Sequence, residues 1–482
     1  MATISSSGIG SGLDVESIIT KLMTIERQPV VDLQTKATTI QNQVSEFGKI
    51  RSAMSTFRDA AQKLTNLDTW ALTTATSSDA NSVSVTTATG ASPGNYSLTV
   101  SSLATSQALA SGVFASSSAT VGAGTLHIEQ GTWGAGQNSF TAKTGGTALD
   151  VTVAATDTLA QVRDKINMAG AGSGVTATIF SDSTGSRLML RSSATGTDSA
   201  FRIAVTDTGD GVNNDASGLS ALSYDTASGA KQMSQTQVAT NAIATINGLP
   251  VNSQSNTLTN VVDGVTVKLT GTTAAPVTIS VTQDFDTIKK GLQSFADAYN
   301  ALSTILTTDT KYDATTKTGG PLQGDSSVLA MQRTMRNLAG ASSNASSVFS
   351  RLADIGLSTG ADGSMSVNDT KVANAINNPA ELKKVLINSD ALDKSKVGLM
   401  RQFRNFGDSI LAFDGSLTTR TNGMQARIQS NSDQQSRLND RIAQTEKRIR
   451  AQYTALDATM GQLTGLSSYI TQQVAQYNNG NK

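Results

Sequence analysis

Residues 424–477 read MQARIQSNSDQQSRLNDRIAQTEKRIRAQYTALDATMGQLTGLSSYITQQVAQY. Ile428, Gln435, Ile442, Ile449, Leu456, Leu463, Ile470 and Tyr477 recur every seven residues, and Met424, Leu438, Leu466 and Val474 supply much of a second row. That spacing predicts a coiled-coil helix. At 1.5 Å per residue, residues 416–478 would extend about 95 Å. A long helix with an apolar seam is not stable as a solvated rod, so it needs a partner. Gln435, Thr445 and Gln452 lie in or beside the seam and weaken it, the usual sign that register or partner choice is tuned at some cost in stability. The basic run RLNDRIAQTEKRIR fits heptad electrostatics better than a nucleic-acid stripe. With Ile442 at position a, Arg441 and Arg448 fall at g and Glu446 at e, and Glu446 and Arg450 form an i,i+4 pair.

The opposite end offers a matching stripe. Residues 8–30 read GIGSGLDVESIITKLMTIERQPV, with Leu13, Ile18, Ile19, Leu22, Met23 and Ile25 among polar residues. No basic residue precedes the stretch and Asp14 and Glu16 interrupt it, so it reads as a retained amphipathic helix, not a cleaved leader. Gly8, Gly10 and Gly12 resemble a phosphate-cradling loop, but no strand precedes them as that motif requires. Pro29 is the expected break. Beyond it Val30, Leu33, Ala37, Ile40, Val44 and Phe47 alternate three and four apart, a second heptad seam. Ile50 follows by a second step of three, a stammer, so partner or geometry should change near residue 48; Met54, Phe57, Ala61 and Leu64 then resume the pattern.

Between the ends the periodicity is two. Residues 72–283 are rich in Thr, Ser, Gly and Ala, and carry alternating segments such as SVSV, YSLTV, TLHI, RLML, FRIAV and VTVKL. These predict short antiparallel strands. Asn247-Gly248 and Asp263-Gly264 carry the hairpin signature. One helix interrupts them, TDTLAQVRDKINMAG, capped by Thr or Asp with Leu159, Val162 and Ile166 on one face. Helical spacing returns at Ile288, Leu292, Phe295, Tyr299, Leu302 and Leu306. Asp362-Gly363 then reads as a hairpin tip, and Asn378-Pro379-Ala380-Glu381 as a cap, first-turn proline and capping-box acid.

Composition narrows the chemistry. The 482 residues include 37 basic and 37 acidic side chains, so net charge favours neither nucleic acid nor an anionic membrane. No apolar run reaches the length of a membrane span. There is no Cys, which removes disulfides and thiolate catalysis, and a single His, His127, which cannot supply a zinc-protease pair. Alternation in TLHIEQ turns His127 outward. Asp207 and Asp210 could in principle serve a glycosidase, but TDTGDGVNND reads more simply as a turn with weak Ca²⁺ affinity. Trp133 and Tyr224 are candidates for stacking on a glycan, with a loop anchor as the plainer reading of Trp133. The reading is of a non-enzyme without cofactor or metal site.

The motifs SSGIGSGLDVESIITKLMTIERQPV, ATINGLPVNSQSNTLTNVVDGVTVKLTG, FADAYNAL and GPLQGDSSVLAMQRTMRNL resemble the N- and C-terminal signatures of the flagellar filament cap family, hook-associated protein 2 (FliD). DTLAQVRDKINMAGAGSGVTATIFSDSTGSRLMLRSS is similar to a motif inserted in flagellin and hook proteins. The resemblance covers both ends and much of the middle, leaving residues 113–150 and 197–231 outside it. It implies export through the flagellar type III channel without a cleaved signal peptide, and a ring of about four to six copies at the filament tip. It implies flagellin and an export chaperone as partners, with no membrane insertion.

The expected fold class is α+β multidomain, a coiled-coil stalk of both terminal helices carrying nested antiparallel β domains. Residues 1–40 and 440–482 would be the legs, 41–71 and 284–439 a helical domain, 72–112 and 232–283 a β domain, and 113–231 an inserted β-rich tip with one helix. Oligomer and filament contacts are expected along Leu22, Val30, Leu33, Ile40, Val44, Phe47, Ile428, Leu438, Ile442, Ile449, Leu456, Leu463 and Ile470. Leu456, Leu463 and Ile470 are also the candidates for chaperone binding. Two alternatives stand beside this reading: a mucin- or glycan-binding adhesin at the filament tip, and another axial protein such as a hook–filament junction protein.

Overall fold

The computed structural model describes residues 14–170 and 172–479. Gly8, Gly10, Gly12 and Leu13 lie outside them, and so does the side chain of Tyr477. The chain forms two compact units, one from residues up to Thr69 together with those from Phe285 onward, the other from Trp70–Asp284.

In the first unit α1 spans Val15–Thr65, 51 residues, capped by the Asp14 carboxylate, which accepts from the Ser17 amide at 3.0 Å. The break expected at Pro29 does not occur; the helix runs through it. A proline inside a helix frees the carbonyl four residues back, here that of Ile25, whose side chain is 72% exposed. Water can reach the freed carbonyl on that outer face, so the helix survives.

The stammer does mark a change of partner. Before it α1 lies against α5, the 64-residue helix Ser416–Asn479. After it, Phe47, Ile50, Met54, Phe57, Ala61 and Leu64 are sealed by α2 (Phe285–Thr310) and α4 (Leu399–Leu411). The Phe57 ring sits 5.4 Å from Phe295 and 5.6 Å from Phe403, edge to face with the latter. A Cβ on Gly291 would fall 2.8 Å from Leu64 Cδ2, so any larger residue there would make the Leu64 side chain shift.

Between α2 and α4 lie α3 (Ser326–Ala339), the hairpin Leu357–Thr359 with Met365–Val367, and the short helices Asp369–Ile376 and Pro379–Ile387. Asp362-Gly363 forms the hairpin tip, Gly363 taking φ 83°. Pro379 stands in the first helical turn, but the capping box does not form. Glu381 turns instead to Lys384 at 2.7 Å, the Ser346 hydroxyl at 2.7 Å and the Ser347 amide at 2.8 Å. The lysine first, then the serine donors, hold its carboxyl down to about 2.

The second unit holds two apolar cores. One lies between a five-stranded sheet, ordered Thr73–Ser77, Val277–Gln283, Gly94–Ser102, Ala242–Ile246, Leu249–Ser253, and a three-stranded sheet, Thr257–Val262, Val265–Leu269, Val83–Thr87. Both expected hairpins are here; Asn247 (φ 49°) and Gly248 (φ 80°) make one, Gly264 (φ 71°) turns the other. The other core is built on the long strand Gly124–Trp133 and the sheet Ser234–Gln237, Ala108–Ala110, Gly185–Ser192, Val175–Asp182. The helix Leu159–Ala169 closes it with Leu159, Val162 and Ile166, all fully buried, behind a capping box between Thr158 and Gln161. Leu109 and Met233 pack into this second core. Antiparallel β units inserted between two parts of a helical unit make the α+β class that the two periodicities imply.

Candidate assembly seam of the terminal helices

The two terminal helices run antiparallel: Glu16 meets Arg450, and Leu33 meets Asn431. The reason is apolar matching. Val15, Ile19, Met23 and Val30 on α1 bury themselves with Ile442 of α5, and Leu438, Ile449 and Tyr453 pack against them. Burying each large side chain contributes about 1.5–3 kcal/mol.

Polar ties run beside this cluster. Arg450 donates from Nη1 to Glu16 Oε2 at 2.6 Å, from Nη2 to Oε1 at 2.7 Å, and from Nε to Glu446 Oε1 at 3.1 Å. Arg27 lies 3.9 Å from the other Glu446 oxygen. Hydrogen bonding from Arg450 holds the Glu16 carboxyl below its ordinary value, and the two glutamates raise the guanidinium. Exposed pairs of this kind add little stability, but a bidentate fork fixes orientation. Asn431, 7% exposed, donates from Nδ2 to the Leu33 carbonyl at 3.0 Å and accepts from Gln435 at 2.6 Å. Nearer the base, Arg420 grips Asp325 at 2.7 Å. Between these ties the helices leave an open groove of ≈ 530 Å³, walled by Leu33, Lys36, Ile40, Arg427, Asn431 and Gln434.

The thirteen expected seam residues divide by exposure into four groups. Val30, Ile40, Phe47 and Ile442 are buried within the unit, and Leu33, Val44, Ile428, Leu438 and Ile449 are half-buried there. Leu22 is partly open at 38%. Leu456, Leu463 and Ile470 are exposed, as are Leu466, Tyr469 and Val474, all on the part of α5 beyond Tyr453. The expected Glu446–Arg450 pair is present. The reach of Arg450 to Glu16, the Asn431 bond and the Asp325–Arg420 pair were not anticipated. Asn431 carried a signal: it is the amide in the row Met424, Asn431, Leu438.

The other candidate sites take structural roles. Tyr224 is fully buried, its hydroxyl donating to Gln137 at 2.8 Å, and Trp133 is wedged edge-on between Phe140 and Tyr224. Tyr224 therefore offers no face to a sugar ring, which corrects that half of the stacking expectation, whereas Trp133 is half-buried. Asp207 is 4% exposed and accepts from the amides of Gly209, Leu219 and Ser220, so it closes a turn, while Asp210 and Asp215 hold the Ser217 hydroxyl. His127 faces outward and pairs across strands with Asp150, Nδ1 to Oδ1 2.6 Å. Among the described residues no group of three or more potential metal ligands converges, and no helix is long and apolar enough to cross a membrane.

Two stretches bracket this architecture in known proteins. Residues 11–107 match the flagellar hook-associated protein 2 N-terminus, residues 239–465 its C-terminus, and residues 139–194 the flagellin hook IN motif. The B-type flagellar hook-associated protein 2 of Pseudomonas aeruginosa is 30% identical over 99% of both chains. The chain belongs to the flagellar hook-associated protein 2 family. The Escherichia coli K12 relative is 29% identical over 99% of this chain and all of its own. A crystal structure of the E. coli flagellar cap protein FliD, domains D1 to D3, aligns with TM-score 0.60 at 26% identity, covering 79% of this chain and 99% of that one. The family is structural, so the role is filament capping and not catalysis, and neither a junction protein nor an adhesin is supported.

Proposed function

We propose that this chain closes the distal end of a flagellar filament as a ring of its own copies, about four to six in number, and gives incoming flagellin a sheltered place to fold. The paired terminal helices, residues 15–40 of α1 with 440–479 of α5, are the legs, and the β units form the plate. The chain reaches the tip through the flagellar export channel, and before export a chaperone covers Leu456, Leu463 and Ile470. No covalent chemistry is required. Burial of the subunit's own terminal helices supplies the free energy, and legs held by weak contacts can step as each subunit enters.

One observation carries this reading. Leu456, Leu463 and Ile470 are 47%, 55% and 52% exposed on the stretch of α5 beyond Tyr453. A stripe of that kind marks a contact surface. The test is to replace all three by Asp and supply the protein to cells lacking their own cap. Filaments should fail to grow while the purified protein keeps its helical and β-sheet signals; normal filaments would refute the assignment. Labelled wild-type protein should sit only at filament ends, and labelling along their length would point to a filament subunit instead.

A further inference from the structure

A seam that repeats every seven residues does not by itself choose a register. Sliding α5 by one heptad along α1 displaces it by about 10.5 Å. In one direction that slide replaces Ile442 by Ile449, Ile449 by Leu456 and Tyr453 by Met460, apolar for apolar. At the base it brings Arg427 to the place of Arg420 beside Asp325, one guanidinium for another. Packing is also loose at the midpoint, where the open groove lies between Ile40 and Arg427.

Beyond the half-buried apolar places of Ile428 and Leu438, which would receive Gln435 and Thr445, and the buried place of Met424, which would receive Asn431, two contacts suffer most in the slide. Leu438 would take the place of Asn431 and would leave the Leu33 carbonyl without its side-chain donor. Asp457 would take the place of Arg450 and set a carboxylate against Glu16 where a bidentate ion pair now stands. Like charges in contact disfavour a pairing, and a lone buried amide is a known way of fixing register at some cost in stability. The opposite slide fails at the same places: Met424 would replace Asn431 and Ala443 would replace Arg450.

We propose that Asn431 and Arg450 are positioning residues that set the register of the two terminal helices. They thereby fix which stretch of α5 lies against Val15, Ile19, Met23 and Val30 of α1. This goes beyond the capping role and holds whichever molecule meets the exposed stretch of α5.

Because the chain has no cysteine, labels can be placed cleanly. Spin labels at Thr20→Cys and Lys447→Cys occupy exposed sites on the two helices, and pulsed electron paramagnetic resonance reads the distance between them. The parent should give one narrow distance. Asn431→Leu combined with Arg450→Asp should add a second population at a longer distance, because an axial slide of about 10.5 Å separates labels that now stand nearly level, with no loss of helical signal and a midpoint for Asn431→Leu alone no lower than the parent's. An unchanged single distance in the Leu/Asp variant would overturn the proposal. So would loss of helical structure in that variant, since the two residues would then hold the fold and not its register.

Discussion

One carboxylate joins the base of α5 to the start of α3: Asp325 Oδ2 receives Arg420 Nη2 at 2.7 Å, while Oδ1 receives the Ser327 amide at 3.0 Å and caps the helix. Burial opposes the charged form, but hydrogen bonds from Ser327 and Arg420 overcome it and hold the carboxyl below its ordinary value. A depressed acid stabilises the fold above its unfolded value, about 4, and loses that contribution as pH falls through the folded value. Asp325→Asn should lower stability by about 1–3 kcal/mol at neutral pH. The gap between parent and variant, followed by helical circular dichroism, should close as pH drops below about 4. A gap independent of pH would show that the ion pair is not what matters.

Asp309, in the last turn of α2, has the opposite sign. It is 6% exposed, and its Oδ2 has no hydrogen-bond partner among the described residues. Burial first, and then the nearby Glu46 carboxylate, push its carboxyl up, with Lys49 opposing them. A raised acid binds its proton more tightly in the folded state, so stability falls as pH rises from the unfolded value through the folded one. Asp309→Asn keeps the shape without the charge. It should raise the helical midpoint at pH 8, and the advantage should shrink toward pH 4; a variant less stable than the parent at pH 8 would mean that the carboxylate has a favourable role.

The aromatic contact of Phe57, Phe295 and Phe403 lies wholly in the helical unit, whereas both tryptophans, Trp70 and Trp133, lie in the other. Two probes therefore report on two units. Phe403→Ala should cost about 3–5 kcal/mol in the transition seen by far-ultraviolet circular dichroism. Tryptophan fluorescence should move little. A shift of equal size in both signals would show that the two units unfold as one.

The residues explain why some of this was legible in the sequence and some was not. Period-seven and period-two patterns are local, so α5, α1 and the strands could be read directly, and the Asn247-Gly248 turn announced itself because so few residues accept positive φ. The partner of each seam is not local. Nothing in Val15, Ile19 and Met23 says that Ile442 covers them, or that the same seam leaves Leu463 uncovered. Pro29 misled because the cost of a helical proline depends on whether the freed carbonyl faces water. Glu381 misled because Ser346 and Ser347, far away in sequence, compete for it. Tyr224 looked available only until its burial was known.

Two residues of one seam should therefore respond in opposite ways to the same change. Ile442 is 5% exposed at the centre of the helix pair, whereas Leu463, three heptads on, is 55% exposed. Ile442→Asp places a carboxylate among Val15, Ile19, Met23 and Val30, which should cost about 3 kcal/mol or more. The N-terminal part of α1 should then detach and become a site of rapid proteolysis, while Phe57 and its neighbours hold the remainder of the unit. Leu463→Asp removes an exposed apolar side chain from water-facing helix and should change the midpoint by no more than about 0.5 kcal/mol. Limited proteolysis with mass mapping separates the two, because the first variant should be cut between Val15 and Val30 and the second should match the parent there. Equal protection in both variants would mean that the pairing of Ile442 with α1 does not hold the leg together.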